Sequence, residues 1–192
     1  MKKIGVVLLA ILLSTTCAVI ISLFFKDKNI VVGQQHEEEF LQRILNEIVL
    51  LENKYSDSYL KEQYVSFGSD SIGKSLLSDI VDNKLFFFFS NSACYPCITK
   101  CVEIISEYYP DYKSNDEIVF VSVDYPARLK DDCYGKKVMN LELGELGIDL
   151  EGYDVPFLFS LTKDLRIKDI NIVFKSDYNR TDTFVKSFKE AK

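Results

Sequence analysis

The chain has 192 residues, of which 47% are hydrophobic and 27% are charged, and its formal net charge is −6. This acidic balance argues against nucleic acid as the main partner, because phosphate binding depends on clustered lysine and arginine. The hydrophobic content is too high for a disordered chain, and the length beyond the apolar N-terminal segment suits one domain with its own core.

The N-terminus contains an uncharged, apolar run over residues 4–25, preceded by Lys2 and Lys3. A helix of about 20 apolar residues can span a bilayer, whereas the apolar stretch of a signal peptide has about 7–15 residues. We therefore interpret residues 1–25 as an uncleaved signal anchor that forms one transmembrane helix. A cleaved signal peptide and a lipoprotein cysteine at Cys17 are the alternatives.

The flanking charges predict the orientation of this anchor. Lys2 and Lys3 favour a cytoplasmic N-terminus under the positive-inside rule. We then expect a single-pass protein of a bacterial cytoplasmic membrane whose C-terminal domain is extracytoplasmic, in the periplasm. Disulfides persist in that compartment, so the cysteines are the first candidates for function.

An amphipathic helix is predicted over residues 34–54, followed by a polar linker over residues 56–71. The helix could dock on its own domain or form a dimerising stalk. We assign residues 26–63 to a juxtamembrane helix and linker, and residues 64–192 to the domain. The apolar residues of the helix recur at spacings of three and four, at Leu41, Ile44, Ile48, Leu51 and Tyr55.

The domain shows alternating strand and helix patterns. The continuous apolar run Lys84–Ser90 is typical of a strand buried on both faces. The order β, α, β, α, β, β, α indicates an α/β fold. The later predicted elements are a helix over 95–109, a strand over 117–124, a helix over 127–139, strands over 155–161 and 166–174, and a helix over 181–190.

A Cys-x-x-Cys motif, Cys94-Tyr95-Pro96-Cys97, lies where the Phe-rich strand ends and the next helix begins. Cys94 is expected at the helix N-terminus, where free backbone amides and the macrodipole favour a thiolate. Cys97 lies one turn further in, where burial disfavours its thiolate. The motif therefore predicts Cys94 as the nucleophile that attacks a disulfide and Cys97 as the thiol that resolves the mixed disulfide.

The strand before this motif, the helix after it and the later Val155-Pro156 strand together resemble the thioredoxin superfamily, in particular its membrane-tethered, extracytoplasmic TlpA-like branch. The resemblance covers about residues 64–192. It implies a thioredoxin-like fold, with a central mixed sheet flanked by helices. It also implies a thiol–disulfide oxidoreductase that acts on protein disulfides or thiols and needs no bound cofactor.

The same resemblance implies a substrate-binding side of the site. In the family, the proline that matches Pro156 is cis and faces the disulfide, and the residue before it, here Val155, offers backbone hydrogen bonds to substrate. Tyr95 and Pro96 are the expected substrate contacts between the cysteines. Their x-Pro dipeptide is more like that of reductase members, and a reductase would need a membrane electron-donor protein.

Three positions depart from the family pattern. Ala93 stands where a tryptophan often precedes the first cysteine, and Phe88 stands where thioredoxins have a buried acid. Lys100 stands where some tethered reductases have a glutamate. The sequence thus shows no obvious buried base for the deprotonation of Cys97.

Two further cysteines, Cys101 and Cys133, lie in the same domain. Cys101 follows Cys97 by four residues, so both point to one face of the helix. The sequence alone does not choose among the possible pairings. Cys101 as a small buried apolar residue, a Cys101–Cys133 disulfide, and a redox relay through either thiol are the alternatives.

Two other function classes stay open. A metal site built from Cys94, Cys97, Cys101 and Cys133 would suit zinc or an iron–sulfur cluster, but structural zinc sites usually use two Cys-x-x-Cys pairs, and we expect no metal. A non-enzymatic thioredoxin-like binding or chaperone module is the other class. Copper delivery would need a histidine in the domain, and the single histidine, His36, lies outside it.

Overall fold

The computed structural model describes residues 38–69 and 73–191 of the chain. The predicted anchor over residues 4–25, Cys17 and His36 therefore lie outside the described residues. Within those two described ranges, no helix is both long and apolar enough to cross a bilayer.

Residues 38–55 form helix α1, in agreement with the amphipathic pattern. The chain divides into two compact units after Glu47, so the C-terminal part of α1 belongs to the larger unit. There, Ile48 and Tyr55 are buried, and the Glu52 carboxylate accepts a hydrogen bond from the backbone amide of Ile172 at 2.8 Å. This part of α1 docks on its own domain, as one of the two alternatives expects.

Seven strands and three further helices follow within the described residues. The strands are β1 (Tyr64–Phe67), β2 (Ser75–Leu76), β3 (Leu85–Phe88), β4 (Ile118–Val121), β5 (Val138–Leu141), β6 (Phe157–Leu161) and β7 (Ile167–Ile172). The helices are α2 (Leu77–Ile80), α3 (Tyr95–Tyr108) and α4 (Tyr178–Glu190), and 3₁₀ turns lie at Ala127–Leu129 and Asp149–Tyr153.

The strands form one mixed sheet in the order β2-β1-β5-β4-β3-β6-β7. Strand β3 lies in its interior, parallel to β4 and antiparallel to β6. Strand β5 runs parallel to β4, while β7 is antiparallel to β6. A mixed sheet with helices packed against it fits the thioredoxin-like fold that the sequence predicts.

The Phe-rich strand β3 is buried because both of its faces are covered. On one face, the ring of Phe86 stacks on Phe159 with 5.1 Å between centroids. On the other face, Phe87 meets Phe120 edge-on at 5.4 Å and belongs to a buried cluster that includes side chains of α3 and α4. This alternation follows the period of two along a strand and gives α3 a rigid strand to start from.

The predicted helix over residues 127–139 is wrong. The segment has one 3₁₀ turn, then a bridge between Cys133 and Lys136, and then β5. At the tip of this bridge, Tyr134 and Gly135 have φ angles of 53° and 84°, which no α-helix accommodates. The buried residues of β5 pair with β1 and β4 instead.

Strands β1 and β2 are not foreseen in the sequence, and β1 lies within the segment 56–71 that the sequence predicts to be a linker. Strand β1 pairs antiparallel with β5. Upstream of it, Leu60 is buried, and its amide donates to the Leu165 carbonyl at 2.9 Å. These contacts place the described part of residues 56–71 in the domain.

Candidate redox site

The Cys-x-x-Cys motif lies at the N-terminus of α3, just beyond the end of β3. Cys94 is the N-cap residue, and the amides of Cys97 and Ile98 donate to its carbonyl at 2.9 and 3.0 Å. Pro96 falls in the first helical turn, where its missing amide removes no helical hydrogen bond. The local sequence therefore fixes both cysteines on the first turn of a helix.

The two thiols differ in their access to solvent. Cys94 is exposed, whereas Cys97 is only 5% exposed. Burial raises the pKa of Cys97 to about 11, and a hydrogen bond from its thiol to the Cys94 sulfur acts in the same direction. Burial therefore favours Cys97 as a neutral thiol beside the exposed Cys94 sulfur.

Two groups from the C-terminal part of the chain lower the pKa of Cys97. The Tyr178 hydroxyl, at the start of α4, donates a hydrogen bond to the Cys97 sulfur, and the Lys175 ammonium adds a favourable charge; both lower the pKa of Cys97. Burial raises the pKa of Tyr178 itself to about 12, so the phenol keeps its proton and acts as a donor.

Sequence reasoning misses Tyr178 and Lys175. The thioredoxin resemblance points to acids on β3 and α3 as proton-transfer partners, whereas these two residues reach Cys97 because α4 packs on α3. A tyrosine at the first position of a helix gives no signal of this contact in the sequence.

The predicted proline of the site has a different geometry from the expected one. The Val155–Pro156 peptide bond is trans, since none of the peptide bonds in the described residues is cis. Trans is the lower-energy form of such a bond by about 0.5–1 kcal/mol. Here Asp154, with a φ of 51°, turns the chain into β6, and its carboxylate accepts hydrogen bonds from Ser90 and Ser92. These bonds join the segment before Val155 to the segment before Cys94.

Tyr95 stands at the mouth of the site. Its side chain is 69% exposed, and its hydroxyl contacts that of Tyr134. The Tyr134 hydroxyl also lies 3.2 Å from Thr99 Oγ1. The backbone carbonyl of Tyr134 accepts a hydrogen bond from the Tyr112 hydroxyl at 2.7 Å. The turn before β5 is thus fastened to α3 next to Tyr95, a contact that the sequence does not reveal.

The remaining cysteines are buried thiols. Cys101 and Cys133 are both free, so no disulfide joins them in this structure. Burial and the neighbouring Cys97 raise the pKa of Cys101 well above its ordinary value. Cys133 belongs to the same buried cluster and accepts a hydrogen bond from the Tyr125 hydroxyl. The surroundings of Cys101 are those of a small apolar core residue.

The metal alternative finds no geometric support. In the part of the chain that the structure describes, no three Cys, His, Asp or Glu side chains converge on a point where they could hold a metal ion. Cys133 contacts Tyr125, whereas Cys101 neighbours Cys97.

No protein-family model matches the chain, and no curated protein matches it. Similar solved structures include the peroxidoxin BcpB from Mycobacterium tuberculosis, with 10% identity, a TM-score of 0.45, and coverage of 71% of this chain and 97% of that one. The thiol peroxidase from Chromobacterium violaceum has 15% identity, a TM-score of 0.44, and coverage of 71% and 87%. BsSco, of the Sco family of cytochrome c oxidase assembly proteins, has 13% identity, a TM-score of 0.42, and coverage of 70% and 95%. Likeness at this level assigns neither a family nor a function to the chain.

Proposed function

We propose that the protein is a thiol–disulfide oxidoreductase in which Cys94 is the nucleophile and Cys97 the resolving thiol. One observation carries this proposal: an exposed cysteine is the N-cap residue of α3, and a buried cysteine follows it in the first turn of the same helix. Such a pair separates the two roles of the exchange reaction between two sulfur atoms.

The reaction proceeds in two displacements. The Cys94 thiolate attacks one sulfur of a substrate disulfide, forms a mixed disulfide and releases the other substrate sulfur as a thiolate, which takes up a proton. Cys97 then loses its proton to solvent and attacks the Cys94 sulfur. This closes the Cys94–Cys97 disulfide and releases the second substrate thiolate, so two electrons pass from the protein to the substrate.

Tyr178 and Lys175 act in the second displacement. Cys97 must become a thiolate in surroundings that disfavour charge, and the Tyr178 hydroxyl and the Lys175 ammonium are the groups that stabilise it. They take the place of the buried acid that the family pattern has at the position of Phe88, by stabilising the anion rather than by accepting its proton.

Protein disulfides are the substrates of this proposal. Exposed Tyr95 and Pro96 offer a contact surface beside Cys94. The hydrogen bonds from Ser90 and Ser92 to Asp154 tie the chain just before Val155 and Pro156 to the motif, which supports these two residues as the second substrate contact. The sulfur chemistry itself needs no bound cofactor. A membrane electron-donor protein would return the Cys94–Cys97 disulfide to the dithiol form.

The cellular location belongs to the same proposal. The apolar run over residues 4–25 anchors the chain in the cytoplasmic membrane of a bacterium, with the domain on the extracytoplasmic, periplasmic side. Protease added to intact spheroplasts should digest the domain. Protection equal to that of a cytoplasmic marker would overturn this orientation.

The function is tested by turnover of a disulfide-linked fluorescent peptide by the full chain in detergent, with a thiol reductant as electron source. Cys94→Ser should abolish turnover. Cys133→Ala is the matched control, because it removes a buried thiol outside the pair and should leave most of the activity. Equal turnover by wild type and Cys94→Ser would instead favour a non-enzymatic binding module.

A further inference from the structure

A second candidate site lies at the opposite end of the central strands from Cys94. Cys94 follows the C-terminal end of β3, whereas a cavity of about 480 Å³ opens where β3 and β4 begin. Lys84 precedes β3 there, and Ile118 and Val119 open β4. The cavity shares no lining residue with the redox site.

The charge of this cavity is unlike that of the chain. Four lysines line it, Lys84, Lys113, Lys136 and Lys137, whereas the chain as a whole has a net charge of −6. Asp116 is the single carboxylate in the described lining. Among described residues, none of the four ammonium groups belongs to an ion pair within 4.0 Å. No direct ion pair within the described residues therefore neutralises these ammonium groups, although Lys137 acts at longer range on Asp131.

Backbone carbonyls hold two of these ammonium groups in place. Lys84 Nζ donates to the Asp116 carbonyl at 2.8 Å, and Lys136 Nζ donates to the Asn115 carbonyl at 2.9 Å. An ammonium group has three N–H donors, so each keeps two for a ligand. Burial lowers the pKa of Lys136, and repulsion from Lys84 lowers it further, against the attraction of Asp116 and Asp111. An anion between the two lysines would relieve that repulsion.

The turn before β5 lets a third lysine approach closely. Gly135 has a φ of +84°, and a Cβ at this position would lie 2.7 Å from Lys113 Cδ. The stem of Lys113 thus lies across the glycine backbone, where another residue would displace it.

The remaining wall is apolar. Phe67 is 38% exposed, and Ile80 and Val119 line the cavity beside the lysines. A site with several fixed ammonium groups and an apolar wall suits an organic ligand that carries a phosphate group. We propose that this cavity binds a phosphate-bearing anion through Lys84, Lys113, Lys136 and Lys137, independently of the redox chemistry at Cys94.

Isothermal titration calorimetry of the full chain in neutral detergent at low ionic strength tests this proposal. Inorganic pyrophosphate is the probe for a soluble phosphate, and dihexanoylphosphatidylglycerol, kept below its micelle concentration, is the probe for a lipid headgroup. The Lys84→Gln/Lys136→Gln variant should bind the probe that wild type binds with an affinity at least roughly tenfold lower, because each substitution removes charge-assisted hydrogen bonds.

Two further variants keep the result interpretable. Lys168→Gln/Lys186→Gln removes the same charge from exposed lysines outside the cavity and should leave the affinity within about twofold of wild type. Lys113→Gln/Lys137→Gln, at exposed positions, should weaken binding without disturbing the fold, and it replaces the first variant if that one unfolds.

Selective loss in the cavity variants supports the site, and the tighter-binding probe identifies the source of the phosphate group. Saturable binding of neither probe overturns the proposal. An equal loss in Lys168→Gln/Lys186→Gln also overturns it, because the attraction would then come from the overall charge.

Discussion

Cys94 and Cys97 are adjacent in space and opposite in environment, and this contrast makes their reactivities separable. At pH 8, a thiol whose pKa is about 11 is ionised in only about one molecule in a thousand. Iodoacetamide should therefore alkylate Cys94 first in the reduced protein, and the rate at Cys97 should rise about tenfold per pH unit until pH approaches 11. Timed mass spectrometry of the two labelled peptides measures both rates, and equal rates near neutral pH would contradict the assignment.

Tyr178 provides a second prediction at the level of single residues. Tyr178→Phe removes the hydroxyl donor, so the pKa of Cys97 should rise further and its alkylation at a fixed pH should slow about fivefold, as expected for one hydrogen bond of about 1 kcal/mol. The pH profile of Cys97 alkylation measures the change.

Tyr109→Phe is the matched control. The Tyr109 hydroxyl is buried and has no hydrogen-bond partner among the described residues, so its removal should leave Cys97 unchanged and stability unchanged or slightly higher. If Tyr109→Phe slows the alkylation of Cys97 as much as Tyr178→Phe does, the effect is not specific to the Tyr178 hydrogen bond.

The motif predicts the local positions of the two cysteines but not their contacts with residues far along the chain. The positions of Cys94 and Cys97 follow from four consecutive residues at a strand–helix junction. Tyr178 lies beside Cys97 because α4, which follows β7, packs on α3. The two residues are far apart in the sequence, so no short sequence pattern reveals their contact.

Strand β3 is the central element, and because it is buried, mutations in it should strongly lower the free energy of unfolding. Phe87→Ala should lower the free energy of unfolding by about 3–5 kcal/mol, because it leaves a cavity among Phe89, Phe120 and the α3 side chains. Chemical denaturation of the reduced protein measures this loss. Leu143→Ala, at an exposed site, should cost less than about 1 kcal/mol, and equal costs would contradict the packing described here.

Elements with strong periodicity are predicted well, and those shaped by turns or distant pairing are not. Strands β3, β4, β6 and β7 and helices α3 and α4 appear where apolar patterns place them. The segment over 127–139 has enough apolar residues for a helix, but the positive φ angles of Tyr134 and Gly135 turn it back into a bridge. Strand β1 is short and gains its stability from β5, which lies far along the chain.

The burial that raises the pKa of Cys97 also makes the stability of the whole molecule depend on pH in the alkaline range. The pKa of Cys97 is about 11 in the folded state and near its ordinary value of 9.0 in the unfolded state, so the folded state binds the proton more tightly. This contribution to stability is complete below pH 9 and is lost as pH rises from 9 to about 11. The loss should be on the order of 2 kcal/mol.

Unfolding of reduced wild type and of Cys97→Ala, measured between pH 8 and pH 11, isolates that contribution. The wild type should lose more stability over this interval than the variant does, because the other groups that titrate there are common to both. Parallel pH profiles would show that Cys97 has no raised pKa in the folded state.

On the scale of the whole molecule, the proposed function requires that Cys94 form the bond to substrate and that Cys97 break it. Diagonal gel electrophoresis of the full chain, expressed in its native membrane as Cys97→Ser and as Cys94→Ser, tests this claim most directly. Cys97→Ser should accumulate substrates as mixed disulfides on Cys94, because the resolving thiol is missing, whereas Cys94→Ser should trap almost none. Equal trapping by the two variants, or trapping by neither, would contradict it.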